Sequence, residues 1–583
     1  MAKIIRVDMK TRNAIISELA PALAMLGGRE LTSTIIAREV DPKSDPLGPE
    51  NKLVLATGLL AATPAPNFSR VSAGCKSPLT GGIKEANVGG KAGFALGQHD
   101  IRAIVLENKP NDDVFYNIIV KNDTSIEWEK AKDPKTTGNY ATCKDLADRH
   151  GTTASVISIG PAGANQLLTA SIAVQDLQNY PTRHAARGGP GAVMGSKGIK
   201  AIVIETRKGA TLSYKDTAAF MAIATPWAKD LKVSRAGFSK LGTAMTVGIS
   251  QTLQGLPTKG FQEGTFAGAE RIGGDHLHDL IVQRKGRFGI PCMPGCAIQC
   301  SNLVIGPDGK HETSSLEYET IAMNGSNLMI DDIDAIARID HECDDIGIDT
   351  IEFGCMMGML MAAGKITFGD AAAVLGVLDE IRKASKLGQL YSQGTYRVGK
   401  ALGITRIPAV KKQGISAYDP RTYKGMGATF CTTPMGADHT AGAAIYKRPG
   451  FDPKKDFGDI FDSTGKLDLS FELQVLIGAC DMLGLCYFVG PSLSTLDRAA
   501  RLINARHGTS LSRDDLVAKA KAMLKLELDF NKKAGFTKAD DTLPTFFKTE
   551  QLPPAGRTWD IPDDELASFW DARLNGQRDD LKA

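Results

Sequence analysis

Asp344-Asp-Ile-Gly-Ile-Asp349 closes a helical pattern with a glycine, and Asp481-Met-Leu-Gly-Leu-Cys486 repeats its form, Asp-x-x-Gly-aliphatic-ligand. A glycine at that point suits the left-handed cap of a helix, which turns the following backbone inward. The Asp then faces whatever lies beyond the cap. A carboxylate so placed can accept two parallel hydrogen bonds from an amino-pyrimidinone edge, the edge of a guanine or a pterin. A single hexad reads more simply as a helix ending in glycine. Two copies in one chain shift the balance towards a ligand, with Asp344, Asp349, Asp481, Leu485 and Cys486 as the positions to watch.

A second cluster lies between the hexads and the amino terminus. Pro291-Cys-Met-Pro-Gly-Cys-Ala-Ile-Gln-Cys300 packs Cys292, Cys296 and Cys300 into nine residues. With no apolar signal segment at the start, the chain is expected to begin at its start codon and to work in the cytoplasm, where such thiols serve as metal ligands rather than disulfides. Three local thiolates and one distant one commonly hold a [4Fe–4S] cluster, whose four irons each take a soft sulfur ligand. Cys486, at the end of the second hexad, is the natural fourth ligand, and Cys480 is its rival.

Around these motifs the chain is ordinary: 583 residues, 43% hydrophobic, 23% charged and a formal net charge of +3, without the basic excess of a nucleic-acid binder. Its most apolar stretch, Cys355 to Gly364, is half a membrane span and reads as a buried helix. Short Ile- and Val-rich segments at 3–9, 52–60, 101–107, 114–120, 155–159 and 199–204 predict strands. From about Asp216 the period becomes helical, as at 370–386 and 513–533, where Ser512 and Asp515 form a capping pattern. Glycine-bearing turns at 77–82, 87–91, 159–163 and 187–197 could bring bare backbone to a phosphate, with Arg70 and Arg187 to neutralise it. None matches a dinucleotide fingerprint, since Met194 stands where glycine is needed.

Taken in order, Ser77-Pro-Leu-Thr-Gly, Asn87-Val-Gly-Gly-Lys, Ile159-Gly-Pro-Ala-Gly, Arg187-Gly-Gly-Pro-Gly-Ala-Val-Met-Gly-Ser-Lys, the cysteine cluster, Glu317-Tyr-Glu-Thr320 and both hexads resemble the tungsten-containing aldehyde ferredoxin oxidoreductase family over nearly the whole chain. The resemblance implies an α+β fold: an amino-terminal double β-sheet domain (1–208) forming a base for a bis-pterin tungsten cofactor, then two mainly α-helical domains (209–415 and 416–583). It implies that Arg70 and Arg187 contact pterin phosphates and that Asn87 and Gly188 hold a bridging Mg2+ by their carbonyls, with Gly89 in the same loop. It also implies that Asp344 and Asp481 read the pterin edges and that Cys292, Cys296, Cys300 and Cys486 hold the 4Fe-4S cluster. One departure is visible. The family spacing is Cys-x-x-Cys-x-x-x-Cys, whereas Met293-Pro-Gly295 separates the first pair here, an insertion that a Pro-Gly turn can absorb.

Glu319 matches the family's active-site glutamate, with Glu317 as rival, and would take a proton from water attacking a carbonyl carbon. His439 matches the histidine that polarises the carbonyl oxygen, although a lone His is more often a core residue. The implied activity is oxidation of aldehydes to carboxylic acids, reversibly. Electrons would pass through the cluster to a ferredoxin or an iron–sulfur subunit, with a flavin subunit beyond it, in an oligomer with neither a membrane span nor a nucleic-acid partner. The alternatives are the active-site subunit of a benzoyl-CoA-type aromatic ring reductase and a cluster-only electron-transfer protein. His276 and His278 form no convincing metal site.

Overall fold

A computed structural model describes residues 2–574 apart from 208, 210, 211, 446–450 and 452–454. Residue 208, the expected end of the first domain, lies outside the described residues. The amino-terminal part contains twelve strands: β1 Lys3–Asp8, β2 Asn13–Glu18, β3 Leu53–Thr57, β4 Val71–Lys76, β5 Ile83–Val88, β6 Ile101–Glu107, β7 Tyr116–Val120, β8 Ile126–Lys130, β9 Ser155–Ser158, β10 Ile172–Val174, β11 Arg183–Ala185 and β12 Ile199–Ile204. They form two mixed sheets of six, in the orders β2-β1-β6-β3-β4-β5 and β11-β10-β9-β12-β7-β8.

The two sheets share one apolar layer, in which Ile5, Leu53, Val71 and Ile104 of the first meet Ile118, Ile157 and Ile202 of the second. Helix Gly28–Glu39 covers the outer face of the first sheet with Leu31, Ile35 and Ile36. Helix Asn139–His150 covers the second with Cys143 and Leu146. Strands buried on both faces read as near-continuous apolar runs, which is why β3, β6 and β12 stand out in the sequence despite Arg102 and Lys200. The expected α+β class and two-sheet base are therefore present, and the chain beyond residue 216 is mainly helical.

Three details differ from the sequence reading. Strand β4, Val-Ser-Ala-Gly-Cys-Lys, was not anticipated because it is built of small residues. Helix Gly28–Glu39 crosses it so closely that a Cβ on Gly74 would stand 2.4 Å from Thr32 Cβ. A three-stranded sheet, Arg287–Ile290, Ser301–Ile305 and His311–Ser314, interrupts the helical region and brackets the cysteine cluster. The helix expected over 370–386 ends at Arg382: Ala384 is left-handed at φ 47°, and Ser385 caps a separate helix, Lys386–Tyr391. The apolar stretch after Cys355 belongs to the buried helix Thr350–Ala362, and among the described residues no helix is long and apolar enough to cross a membrane.

Candidate active site and metal centre

Both hexads are helix ends docked on the sheet base. Gly347 follows helix Ile333–Ile346 at φ 78°, and Gly484 follows helix Lys466–Leu483 at φ 64°, so each takes the left-handed cap. In both cases the residue before the glycine presses its carbonyl onto a glycine of the base. A Cβ on Gly160 would lie 2.2 Å from Ile346 O, and one on Gly58 would lie 1.8 Å from Leu483 O. Backbone meets backbone, so no larger residue fits. Gly160 sits in one of the glycine segments noted in the sequence. Gly58 was missed because it stands alone after β3.

The two aspartates are held by different partners. His184 Nε2 lies 3.1 Å from Asp344 Oδ1, while Ser171 Oγ is 2.7 Å from the other ring nitrogen. Arg29 Nη1 reaches Asp481 Oδ2 at 3.2 Å and is fixed by two further bonds to Glu527, at 2.9 and 2.8 Å. Burial raises Asp481 well above the ordinary carboxylate range, and the buried Glu85 nearby adds to the effect. Asp340, one turn before Asp344, is likewise pushed up by burial and by Asp344. Each hexad aspartate thus has a second carboxyl beside it.

Cys292, Cys300 and Cys486 line one cavity of about 370 Å³, together with Asp344, Asp349, Asp481, Arg70, Asn87 and Gly89. Cys296 stands just behind, where its sulfur accepts from Asn67 Nδ2 at 3.4 Å and from the amide of Gln299 at 3.3 Å. Hydrogen bonding from the Cys292 thiol, aided by that amide, brings Cys296 down to about 6 despite its burial. The inserted residue is absorbed as a turn: Cys296 N donates to Met293 O at 3.2 Å, across Pro294 and a left-handed Gly295 at φ 79°. Cys480 is fully buried inside its helix and is not among the lining residues, so of the two rivals only Cys486 reaches the cavity. Among the described residues no group of three or more His, Cys, Asp or Glu closes on a single ion. Thiols that ring a wider space suit a multi-iron cluster, in which each iron takes one of them.

Arg70, at the start of β4, donates to the side chain of Asn87 and, at 3.0 Å, to its carbonyl, while its own amide donates to Gly484 O at 3.1 Å. It therefore joins the sheet base, the second hexad and the cavity. Arg187 is more fully committed to the protein. It donates to Asp349 Oδ2 at 3.1 Å, to Ala437 O and to Gly414 O at 2.6 Å. A further cation on the same wall is Arg183, which the sequence reading passed over. It lines the cavity, bonds Ser301 and Ser315, and leaves its buried Nε without a partner. Gly188 and Leu485 are not on the cavity wall: the Gly188 carbonyl accepts from Ser77 Oγ at 2.6 Å, and the Leu485 side chain is in the core.

Glu319 and His439 meet on the same cavity. Glu319 lies in the first turn of helix Tyr318–Asn324, and its Oε2 accepts from Ala417 N at 2.8 Å. Its Oε1 faces His439 Nδ1 at 3.5 Å, and neither buried atom has a hydrogen-bond partner. Burial pushes the Glu319 carboxyl up. His439 opens a short 3-10 turn capped by Asp438, whose Oδ1 accepts from the amide and hydroxyl of Thr440 and whose Oδ2 accepts from the fully buried Lys84 at 2.6 Å. Burial alone would raise Asp438, yet Lys84 and Arg187 hold it far below the usual carboxylate range. Glu317, the rival carboxylate, is more than a third exposed and faces Arg183 at 3.7 Å on the cysteine side.

The donor set fits the group that the sequence suggested. The carboxylates of Asp344 and Asp481, guanidinium donors and three of the four cysteines border one cavity, with Cys296 just behind, and Arg183, Glu319 and His439 bring buried atoms without hydrogen-bond partners to its wall.

A family model described as "Aldehyde ferredoxin oxidoreductase, N-terminal domain" matches residues 4–206, and one described as "Aldehyde ferredoxin oxidoreductase, domains 2 & 3" matches 222–573. The tungsten-containing aldehyde ferredoxin oxidoreductase of Pyrococcus furiosus is 33% identical over 577 residues, covering 94% of this chain and 92% of that protein. That of Thermococcus kodakarensis is 32% identical over the same length and shares. An aliphatic sulfonate oxidoreductase, WOR-like subunit, from Pyrococcus furiosus is 26% identical, covering 72% of this chain and 71% of that one. Among solved structures, the active site complex BamBC of benzoyl coenzyme A reductase superposes with a TM-score of 0.79 at 19% identity, covering 99% of this chain and 94% of that chain, a likeness of fold.

Proposed function

From the premise that this chain belongs to the aldehyde ferredoxin oxidoreductase family, we propose that it oxidises aldehydes to carboxylic acids, reversibly, and passes the electrons to a ferredoxin or an iron–sulfur subunit. The observation that carries this reading is the pair of orphaned atoms, Glu319 Oε1 and His439 Nδ1, facing each other across 3.5 Å in the cavity shared by the hexads and cysteines.

Asp344 and Asp481 would hold the edges of two pterins, and Arg70 and Arg187, with Arg183 beside them on the cavity wall, their phosphates. The carbonyls of Asn87 and Gly188, each with a second lone pair left over, would hold Mg2+. Cys292, Cys296, Cys300 and Cys486 would hold a 4Fe-4S cluster. When bound, the pterin-held tungsten supplies a two-electron sink, and the cluster releases those electrons singly.

The chain's own residues do the rest. Glu319, kept basic by burial and freed of other partners on one oxygen, takes the proton that water loses as its oxygen bonds to the carbonyl carbon. The His439 ring donates a hydrogen bond to the carbonyl oxygen, where negative charge develops. Lys84 and Asp438 lock the turn that aims it. Per aldehyde and water, one carboxylic acid, two protons and two electrons leave.

Anaerobic assay with benzaldehyde and a viologen dye tests the proposal. Dye reduction with benzoate as product supports it. No reaction with any aldehyde, alongside dye-linked reduction of benzoyl-CoA, would move the chain to ring reduction instead.

A further inference from the structure

The cysteine-bearing segments lie one layer below the surface. Gly295, between Cys292 and Cys296, is exposed, and the four cysteines keep 6–8% of their own surface. Short helix Ala236–Leu241 straps both segments together. Ser239 Oγ donates to Ile298 O at 2.6 Å, two residues before Cys300. Arg235, at its start, donates to Phe488 O at 2.9 Å and Val489 O at 3.0 Å, just after Cys486. The rings of Phe238 and Phe488, 5.0 Å apart, line the same cavity as Cys292, Cys300 and Cys486.

This strap and the end of helix Thr217–Ser234 are strongly basic. Residues 217–241 carry Lys229, Lys232, Arg235 and Lys240 against one acid, Asp230, an excess as large as that of the whole chain. Asp230 is itself paired with Arg498 at 3.4 Å. Lys229, Lys232 and Lys240 are exposed, and among the described residues they enter no ion pair. In their midst Val233 is 80% exposed, the most exposed of the chain's large hydrophobic side chains among the described residues. An apolar spot rimmed by unpaired like charges, beside the strap that ties down both cysteine segments, has the character of a small, transient, electrostatically steered contact.

We propose that the exposed basic segment of Lys232, Val233 and Lys240, at either end of the strap that Arg235 and Ser239 tie to the cysteine segments, is the docking surface for a small acidic iron–sulfur electron carrier. This rests on the proposed function for the presence of a cluster; the charge pattern and the strap are independent of it. A basic carrier, by the same electrostatics, is repelled.

The test uses anaerobic holoenzyme, a small acidic [4Fe–4S] ferredoxin as acceptor, and the variants Lys232→Glu, Lys240→Glu and both together. The KM for ferredoxin should rise roughly tenfold in the double variant and rise with salt in the unmodified enzyme, whereas turnover with saturating viologen stays within about twofold. A basic cytochrome c should become the better acceptor after reversal. Direct titration of ferredoxin onto the holoenzyme reads the surface without turnover. A ferredoxin affinity that neither salt nor charge reversal moves overturns the docking surface, while absence of aldehyde-dependent dye reduction strikes at the proposed function alone.

Discussion

Replacing Glu319 by Gln removes the proposed proton acceptor and little else. The amide keeps the shape and can still accept from Ala417 N through its oxygen, but the group facing His439 can no longer take a proton. A positioned general base is worth roughly 10²–10⁴ in rate, or about 3–5 kcal/mol on the barrier. The upper half of that range is expected here. Glu319 Oε1 is buried without a partner, so no alternative acceptor stands in the same place. Anaerobic benzaldehyde–viologen kinetics should therefore show kcat down roughly a thousandfold, KM changed less than about threefold, and metal and iron content unchanged. The pH profile carries the sign. Protonating Glu319 removes the base, so in the unmodified enzyme kcat falls as pH drops through a value that burial has raised above the ordinary glutamate range. The Gln variant should lack that acid limb. A variant that keeps more than a tenth of the activity, or keeps the limb, would show that Glu319 is not the base.

Other outcomes follow from the same geometry. His439→Phe should lower kcat by roughly 10²–10³ through loss of the carbonyl donor, read in the same assay with cofactor content as control. Arg29→Met strands Glu527 and Asp481 in the interior and should cost about 3–5 kcal/mol, seen as a lower urea midpoint, whereas Arg29→Met with Glu527→Leu should recover much of it. Cys486→Ser should abolish the cluster's visible absorption and iron content, while Cys480→Ser should leave both intact. Gly58→Ala drives a methyl into Leu483 O and should cost at least about 1–3 kcal/mol and reduce pterin retention, an effect absent from Gly151→Ser, where a side chain meets open space, its backbone strain apart.

How much of this was legible beforehand depended on what each element packs against. Strands β3, β6 and β12 announced themselves because both faces are covered and nearly every position is apolar, Arg102 and Lys200 being the interior exceptions. Strands β4 and β11 did not: Gly74 yields to a helix, and β11 is three residues of Arg-His-Ala whose Arg and His serve the cavity. The hexad caps could be read from one glycine each, since a left-handed residue after an apolar helix has few alternatives. What the hexads press against could not be read, because Gly58 and Gly160 matter only through carbonyls that arrive from more than 180 residues away in sequence. Arg187 looked like the phosphate ligand because it sits in a glycine run. In the folded chain it lines the cavity while bonding Asp349, Ala437 and Gly414, and Arg183, four residues earlier on the same wall, leaves its buried Nε without a partner.

The central claim is that one cavity joins two edge-reading aspartates, an acid–imidazole pair and four cysteines around a metal–pterin centre and its cluster. Metal, iron and pterin analysis of protein purified without oxygen tests it most directly. The account predicts about one tungsten, two pterins and about four irons per chain, with the pterin lost from an Asp344→Ala, Asp481→Ala double variant. Iron alone, in protein that still oxidises its aldehyde, would contradict it.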